Sequence, residues 1–360
     1  MKKIYVYAIC KNEEQFVDRW VNSVSEADGI YVLDTGSTDN TVKKLKDRGV
    51  NVKVKEIKPW RFDVARNESM KLIPKDADIC VCLDMDEIIL PGWRKKLEEI
   101  WDEDTTRLKY NYIWSFDKNG KPGINFYIEK IHILDGYKWI HPVHEVLTRE
   151  NKQEVYKQTD EITVEHYPDE TKSRSNYLPL LEMSVEEDPE DDRNMHYLGR
   201  EYMYNSRWND AIDTLIKHLS LKKATWKDER SASMRYIARC YKSLGRIDEA
   251  RMWLSKAIIE TPYLREPLVE LSFLEYEEKN YKSVIMCCES ALNIKNSSKT
   301  YINEPSSWDH TIYDLLSIAY FEEGEYEKSL EAINKAIEIS PDIERLQENK
   351  QIIEEKIKSV

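Results

Sequence analysis

A short apolar segment that ends in three acidic residues constrains the fold of this chain most. Residues 79–87 read ICVCLDMDE. Four to six apolar residues without helical periodicity, bounded by charge, are typical of a strand buried on both faces of a parallel sheet. Ligands of open α/β sheets bind beyond the carboxyl ends of such strands, so we expect Asp84 and Asp86 to project on the same side into a crevice. The segment therefore predicts a binding site.

Asp84 and Asp86 would repel each other unless a cation or a proton lies between them. A divalent ion held by a carboxylate and a substrate diphosphate is a common arrangement. The alternative is a polar loop before a helix that begins near Pro91, because acidic residues are also common at helix starts. The neighbouring motifs favour the binding site.

Strand and helix patterns alternate through the first hundred residues, which predicts a parallel, doubly wound sheet. Three aromatic-rich segments then predict an antiparallel extension. The predicted strands are 3–10, 29–33, 50–57, 79–83, 108–116, 125–134 and 137–147, and the predicted helices are 13–25, 41–46 and 62–72.

Four similar segments occur in the second half of the chain, each between two helical patterns. They are SRWNDA at 206–211, GRIDEA at 245–250, KNYKSV at 279–284 and GEYEKS at 324–329. Their spacings are 39, 34 and 45 residues, and 34 residues is the length of a tetratricopeptide repeat. We expect an all-α solenoid of about four repeats that ends in a charged helix at 344–358. The predicted domains are 1–170 and 171–360.

Composition limits the possible partners and compartment. The net charge is −13 and both halves are acidic, so we expect no nucleic-acid partner. The six cysteines lack zinc-site spacing and fit reduced core positions. The sequence has no apolar run of about 18 residues and no signal-like N-terminal segment, so we expect a cytoplasmic protein without a transmembrane segment.

Five motifs follow one another at the predicted strand ends and helix starts. They are ICKNEE at 9–14, DTGSTDNT at 34–41, WRFD with RN at 60–67, LDMDE at 83–87 and VHE at 143–145. In this order they resemble the motifs of family 2 glycosyltransferases with the α/β GT-A fold, which is Rossmann-like. The motifs at 60–67 and 143–145 are similar to a subgroup in which a GT-A domain precedes tetratricopeptide repeats.

The resemblance implies roles on the side of a nucleotide-sugar donor. Asp34 would accept hydrogen bonds from the uracil or the ribose. Arg66 and Asn67 would donate to the diphosphate and the sugar hydroxyls, and Asp84 would face the ribose. The stretch Lys130–His132 departs from the Arg-rich segment that is common in the subgroup, so the resemblance does not indicate which sugar is used.

The resemblance also implies a metal site and a catalytic base. Asp86 and His144 would hold Mg²⁺ or Mn²⁺. Inverting transfer needs a carboxylate base on the acceptor side, and Glu145 is the first candidate. Regular strand alternation would send Glu145 to the face opposite His144, so either a turn intervenes or the base is another acid such as Asp135.

The predicted function is that of a metal-dependent, inverting glycosyltransferase, a hexosyltransferase that uses a UDP-sugar. Its acceptor would be a peptide, a protein or a glycan held partly by the repeats, and the domain order is similar to that of enzymes acting on bacteriocin peptides or on glycans. The repeats could equally form a homodimer.

Two other functions stay open. A nucleotidyltransferase needs a glycine-rich phosphate loop after the first strand, and residues 8–12 (AICKN) contain no glycine. A non-catalytic adaptor would use only the repeats and carry an inactive GT-A domain.

Overall fold

The computed structural model describes residues 2–116, 120–150, 152–169 and 177–359. The chain forms two compact units. The first unit comprises Met1–Glu187 and Lys299–Tyr301, and the second comprises Asp188–Ser298 and Ile302–Val360. The predicted domain boundary, between residues 170 and 171, lies outside the described residues and stays a prediction.

The first unit is an α/β structure. Its strands are β1 (Ile4–Cys10), β2 (Gly29–Asp34), β3 (Asn51–Val54), β4 (Ile79–Cys82), β5 (Glu87–Ile89), β6 (Arg107–Ile113), β7 (Asn125–His132), β8 (Tyr137–Ile140), β9 (Val146–Arg149) and β10 (Tyr156–His166). Its helices are α1 (Val17–Ser23), α2 (Thr41–Asp47), α3 (Phe62–Met70), α4 (Trp93–Ile100) and α5 (Tyr177–Glu187).

Eight of these strands form one mixed sheet in the order β3-β2-β1-β4-β7-β6-β10-β5, and β8 pairs with β9 separately. The strands β3, β2, β1 and β4 are parallel. β7 is antiparallel to both β4 and β6, and β6 is parallel to β10. Two reversals therefore restore the original direction, so the carboxyl ends of β1, β2, β4, β6 and β10 lie along one edge of the sheet.

β1 shows why the middle of the sheet is buried on both faces. Ile4, Val6 and Ala8 enter one apolar core, and the alternate residues Tyr5 and Tyr7 enter another. Such two-sided burial requires the near-continuous apolar strands seen in the sequence. It confirms the predicted parallel sheet.

The structure corrects several sequence-based boundaries. The helix predicted from residue 13 begins at Val17. The predicted strand 137–147 is two strands, β8 and β9, separated by a turn in which His141 and His144 have φ values of 78° and 50°. β5 and β10 were not predicted. β10 begins with exposed polar residues and packs apolar side chains mainly in its second half, which weakens its strand pattern.

The second unit is helical, as predicted. Its helices are α6 (Asp192–Tyr204), α7 (Trp208–Ser220), α8 (Lys227–Ser243), α9 (Ile247–Glu260), α10 (Glu266–Glu277), α11 (Tyr281–Asn293), α12 (Thr311–Glu322), α13 (Tyr326–Ile339) and α14 (Glu344–Ser359). They form four antiparallel pairs and a terminal helix. Gly199 of α6 lets α7 approach closely, because a Cβ there would lie 2.5 Å from the Leu215 side chain.

The stretch 302–310, called here the connecting segment, precedes α12 and packs on α8 and α10, the first helices of two pairs. Arg235 of α8 donates to the carbonyl of Ile302 at 3.0 Å and pairs with Glu304 at 3.4 Å. Glu266 of α10 accepts hydrogen bonds from the Trp308 indole at 3.1 Å and from the side chain of Asn303 at 2.7 Å. In the described part of the chain, no helix has the length and apolarity needed to cross a membrane.

Candidate functional site

The loop after β2 is organised by Asp34. This carboxylate is fully buried and accepts hydrogen bonds from the backbone N–H groups of Gly36 at 3.0 Å and Ser37 at 2.9 Å. It also accepts from the Ser37 hydroxyl and, at 3.4 Å, from the Cys10 thiol. Gly36 has φ 111°, a conformation that side chains disfavour. Asp34 therefore holds this loop in a tight turn.

The loop after β1 is joined to the same turn. Asn12 accepts a hydrogen bond from the Thr38 N–H at 2.7 Å and donates its own N–H to the Ser37 hydroxyl at 2.8 Å. The Glu14 N–H donates to Asp39 at 3.2 Å. The motifs at 9–14 and 34–41 thus form one interlocked structure at the edge of the sheet where the carboxyl ends of β1, β2 and β4 lie.

Asp84 lies just beyond β4 and binds two cationic side chains. Arg66 of α3 contacts both of its oxygens, at 2.7 and 3.0 Å, and Lys130 of β7 donates to Oδ2 at 2.8 Å. Burial alone would raise the pKa of the Asp84 carboxyl, but Arg66 and Lys130 hold that pKa well below its usual range. Asp84 is therefore ionised at neutral pH.

Lys130 connects Asp84 to a buried glutamate. Its ammonium lies 2.8 Å from Glu87, whose side chain is 2% exposed. Glu87 also accepts hydrogen bonds from the Tyr112 hydroxyl and the Asp84 N–H, both at 2.8 Å. Burial raises the pKa of Glu87 above its usual value despite the opposing effect of Lys130. This cluster ties the acidic motif to β6 and β7.

Glu145 lies on the other side of Arg66. The Arg66 Nε donates to a Glu145 oxygen, so one guanidinium binds both Asp84 and Glu145. Arg66 is buried and its guanidinium lies 5.1 Å from the centre of the Trp139 ring. The turn between β8 and β9 resolves the alternation problem, because Glu145 and His144 do not lie in a regular strand.

Asp86 has a different neighbour, His166 at the end of β10. His166 Nε2 lies 3.5 Å from Asp86 Oδ2, and its Nδ1 lies 3.1 Å from the carbonyl of Trp114. Burial lowers the pKa of His166, but Asp86 outweighs this effect and raises it above the ordinary value. The Asp86 side chain is 31% exposed, so it remains accessible at this edge.

The other predicted site residues lie in different surroundings. Asn67 binds the backbone of Trp139 through its side-chain amide, donating at 2.8 Å and accepting at 2.9 Å. The His144 ring lies 5.7 Å from the Tyr177 ring. Asp135 follows β7, whose direction places it at the opposite edge of the sheet, where it pairs with Lys152 at 2.6 Å. The structure therefore does not bring Asp135 to Asp84.

Metal binding at this edge would need donors from a substrate as well. Among residues 2–116, 120–150, 152–169 and 177–359, no group of three or more His, Cys, Asp or Glu side chains is placed to hold a metal ion. Asp86 and His166 nevertheless fit two positions of a coordination shell, because two ligands about 2.1 Å from one ion lie about 3 Å apart.

Sequence reasoning missed His166, Glu87 and Tyr112 as members of this site. His166 ends a strand that was not predicted, and Glu87 belongs to the acidic motif but received no role of its own. Lys130 was noted only as a departure from the family pattern. Its place on β7, beside β4, explains the contact with Asp84.

Family comparisons agree with this geometry. Residues 5–149 match the model of glycosyl transferase family 2, and residues 237–258 and 310–343 match a tetratricopeptide repeat. The N-terminal part of the chain is therefore similar to a family 2 glycosyltransferase domain, and the C-terminal part contains tetratricopeptide repeats. The first unit is thus GT-A-like, as predicted, and an all-helical repeat region follows it.

Two curated relatives match parts of this chain. An uncharacterized glycosyltransferase of Rickettsia bellii (strain RML369-C) is 35% identical over 101 residues, which is 28% of this chain and 33% of the relative. One of Rickettsia typhi (strain ATCC VR-144 / Wilmington) is 46% identical over 61 residues, or 17% of this chain and 20% of the relative. This chain therefore spans a third or less of either relative.

Among solved structures, the crystal structure of MamA is similar at 18% identity and a TM-score of 0.37. The match covers 46% of this chain and 82% of MamA.

Proposed function

We propose that the first unit is a metal-dependent, inverting glycosyltransferase that takes a hexose from a UDP-sugar. The observation that carries this proposal is the cluster in which Arg66 and Lys130 both bind Asp84, just beyond the carboxyl end of β4, with Asp86 partly exposed beside it. Such a site offers fixed cationic side chains and a partly exposed carboxylate where a diphosphate would leave.

In this proposal the donor lies between the loop at 34–41 and Asp84. The loop around Asp34 would receive the uracil and the ribose, because its interlocked backbone is already organised. Arg66 and Asn67 would contact the diphosphate and the sugar. Both already hold a protein partner, so they would bind the donor from fixed positions, which reduces the entropy that ordering would cost.

We assign the metal to Asp86, with His166 as the second protein ligand. Carboxylate and imidazole are ligands that Mn²⁺ accepts readily, and carboxylate also suits Mg²⁺. A divalent cation there would offset the charge that develops on the leaving diphosphate. The prediction for His144 as a ligand can be tested in parallel by comparing His166→Ala with His144→Ala.

Glu145 is the proposed base. The acceptor oxygen attacks the anomeric carbon, the bond from that carbon to the donor phosphate oxygen breaks, and the acceptor proton passes to Glu145. The contact with Arg66 would fix the orientation of the carboxylate. The acceptor is a peptide, a protein or a glycan, and the repeats would hold part of it or join two copies of the chain.

Donor binding can be tested by thermal stability with a panel of nucleotide sugars, with and without Mn²⁺ or Mg²⁺. A ligand at about 100 times its dissociation constant adds about 2.7 kcal/mol of stability. We expect one UDP-sugar to stabilise the wild type only with metal, and Asp86→Ala to lose this response. Asp135→Ala, at the opposite edge, is the matched control and should respond like the wild type.

The opposite result would support the adaptor hypothesis. If no nucleotide sugar stabilises the protein in the presence of Mn²⁺ or of Mg²⁺, the acids at the strand ends are structural and the repeats carry the function. A response to nucleoside triphosphates alone would instead favour a nucleotidyltransferase.

The assignment of the base has its own test. We expect Glu145→Gln to keep the metal-dependent donor response and to lower the transfer rate by at least about 100-fold. Asp135→Asn should transfer at the wild-type rate. Equal loss in both variants, or loss only in Asp135→Asn, would reject Glu145 as the base.

A further inference from the structure

An exposed tryptophan stands beside the proposed metal site. Trp114 directly follows β6, and 43% of its surface is exposed. Its indole stacks on the His166 imidazole, with ring centres 4.4 Å apart and planes 22° apart. Tyr112, which is buried, stacks against the same imidazole at 6.2 Å. Tyr112 and Trp114 also contact each other, with ring centres 6.3 Å apart, so the three rings form one cluster and the indole is its exposed member.

Trp114 is more exposed than the other tryptophans of the first unit. Of these five, Trp20, Trp93, Trp101 and Trp139 are buried and Trp60 is half-buried. The His166 ring that supports the indole also lies 3.5 Å from Asp86. The exposed indole is thus held, through His166, beside the carboxylate that we propose to bind the metal, where it can contact a ligand.

The sheet order places Trp114 on the acceptor side of the site. The loop at 34–41 follows β2, which lies two strands from β4 on one side. Trp114 follows β6, which lies two strands from β4 on the other side. A donor that extends from Asp86 toward the 34–41 loop would therefore leave the indole free for the second substrate.

The backbone around Trp114 disfavours an extended peptide at this place. β6 is paired with β7 on one side and β10 on the other, so no strand can be added along it. The N–H of Trp114 donates to the carbonyl of Ile124 at 2.8 Å, and its carbonyl accepts from His166. The indole is therefore what Trp114 offers to a ligand.

We propose that Trp114 is a stacking platform for a pyranose ring of a glycan acceptor. A pyranose has a face of C–H groups that packs on an aromatic ring and an edge of hydroxyls that hydrogen-bond to a carboxylate such as Asp86. This inference rests on the proposed function and narrows the acceptor to a carbohydrate. Transfer to a peptide alone would be the competing outcome.

Saturation-transfer NMR tests the platform without requiring transfer. The probes are methyl glycosides of glucose, galactose and N-acetylglucosamine, measured with the full chain. At least one should bind the wild type, bind Trp114→Phe within about threefold, and bind Trp114→Ala at least tenfold more weakly. Tyr156→Ala removes a ring of similar exposure, 40%, at the far end of β10 and should bind like the wild type.

Three results would overturn the inference. The first is the absence of any glycoside signal with the wild type, and the second is an unchanged signal with Trp114→Ala. The third is displacement of the glycoside by UDP with Mn²⁺, because it would place the ring in the donor site. If no nucleotide sugar stabilises the protein in the thermal assay but the glycoside signal still depends on Trp114, the proposed function is rejected. The carbohydrate site at Trp114 would then stand without it.

Discussion

Removal of Lys130 should destabilise the first unit more than removal of any surface lysine. In Lys130→Met, Asp84 keeps both contacts to Arg66, but Glu87 loses its cation and keeps only the Tyr112 hydroxyl and a backbone N–H as donors. Breaking a buried ion pair costs about 3–5 kcal/mol. We expect about 3 kcal/mol at pH 7, because Glu87 retains two hydrogen bonds.

The loss should depend on pH in a defined direction. Burial already raises the pKa of Glu87, and removal of Lys130 will raise that pKa further. A carboxyl whose folded pKa is raised destabilises the protein as the pH rises above its unfolded pKa. Lys130→Met should therefore lose less stability at pH 5, where Glu87 takes up a proton, than at pH 7.

Hydrogen exchange read on peptides that cover β1 and β4 gives the opening free energy of the first unit alone. Lys109→Met is the matched control, because this neighbouring lysine is 41% exposed and lies 3.4 Å from Glu129. Such an exposed pair contributes at most about 1 kcal/mol. A loss below about 1 kcal/mol in Lys130→Met at pH 7, or an equal loss at both pH values, would refute the reasoning.

Two further predictions concern packing and acid stability. Gly199→Ala should destabilise the second unit by about 1–3 kcal/mol, because the new Cβ would overlap the Leu215 side chain; urea unfolding that matches the wild type would contradict the close approach. Burial lowers the pKa of His132 to about 3, and since the unfolded pKa is about 6.5, His132 by itself should cost the first unit about 2 kcal/mol between pH 8 and pH 5, against which the raised pKa values of His166 and Glu87 act. His132→Gln should flatten this loss, as measured by exchange at both pH values.

The sequence allowed the architecture to be predicted because both units rest on strong local patterns. The near-continuous apolar segments of β1 and β4 require burial on both faces, and the repeated SRWNDA-type segments recur at the same place in each helix pair. These signals are local. β10 was missed because its first half is exposed and polar, which is a consequence of its position near the edge of the sheet.

The composition of the site was only partly predictable. The acids after β4 carry a sequence signal, but their partners come from distant elements. Lys130 lies on β7 and His166 ends β10, and only the antiparallel insertion of β7 beside β4 brings the first of them to Asp84. Asp135 shows the reverse case, since strand direction alone moves it to the other edge.

The connecting segment also matters for what the repeats can bind. It holds Glu304 against Arg235 and Arg239 and places Trp308 over the Arg265 guanidinium at 4.0 Å. A tethered segment of this kind competes at an effective concentration in the millimolar range. A partner that binds α8 and α10 must therefore displace the connecting segment or bind the repeats elsewhere. Acidic peptides of low affinity would not displace Glu304 from this surface.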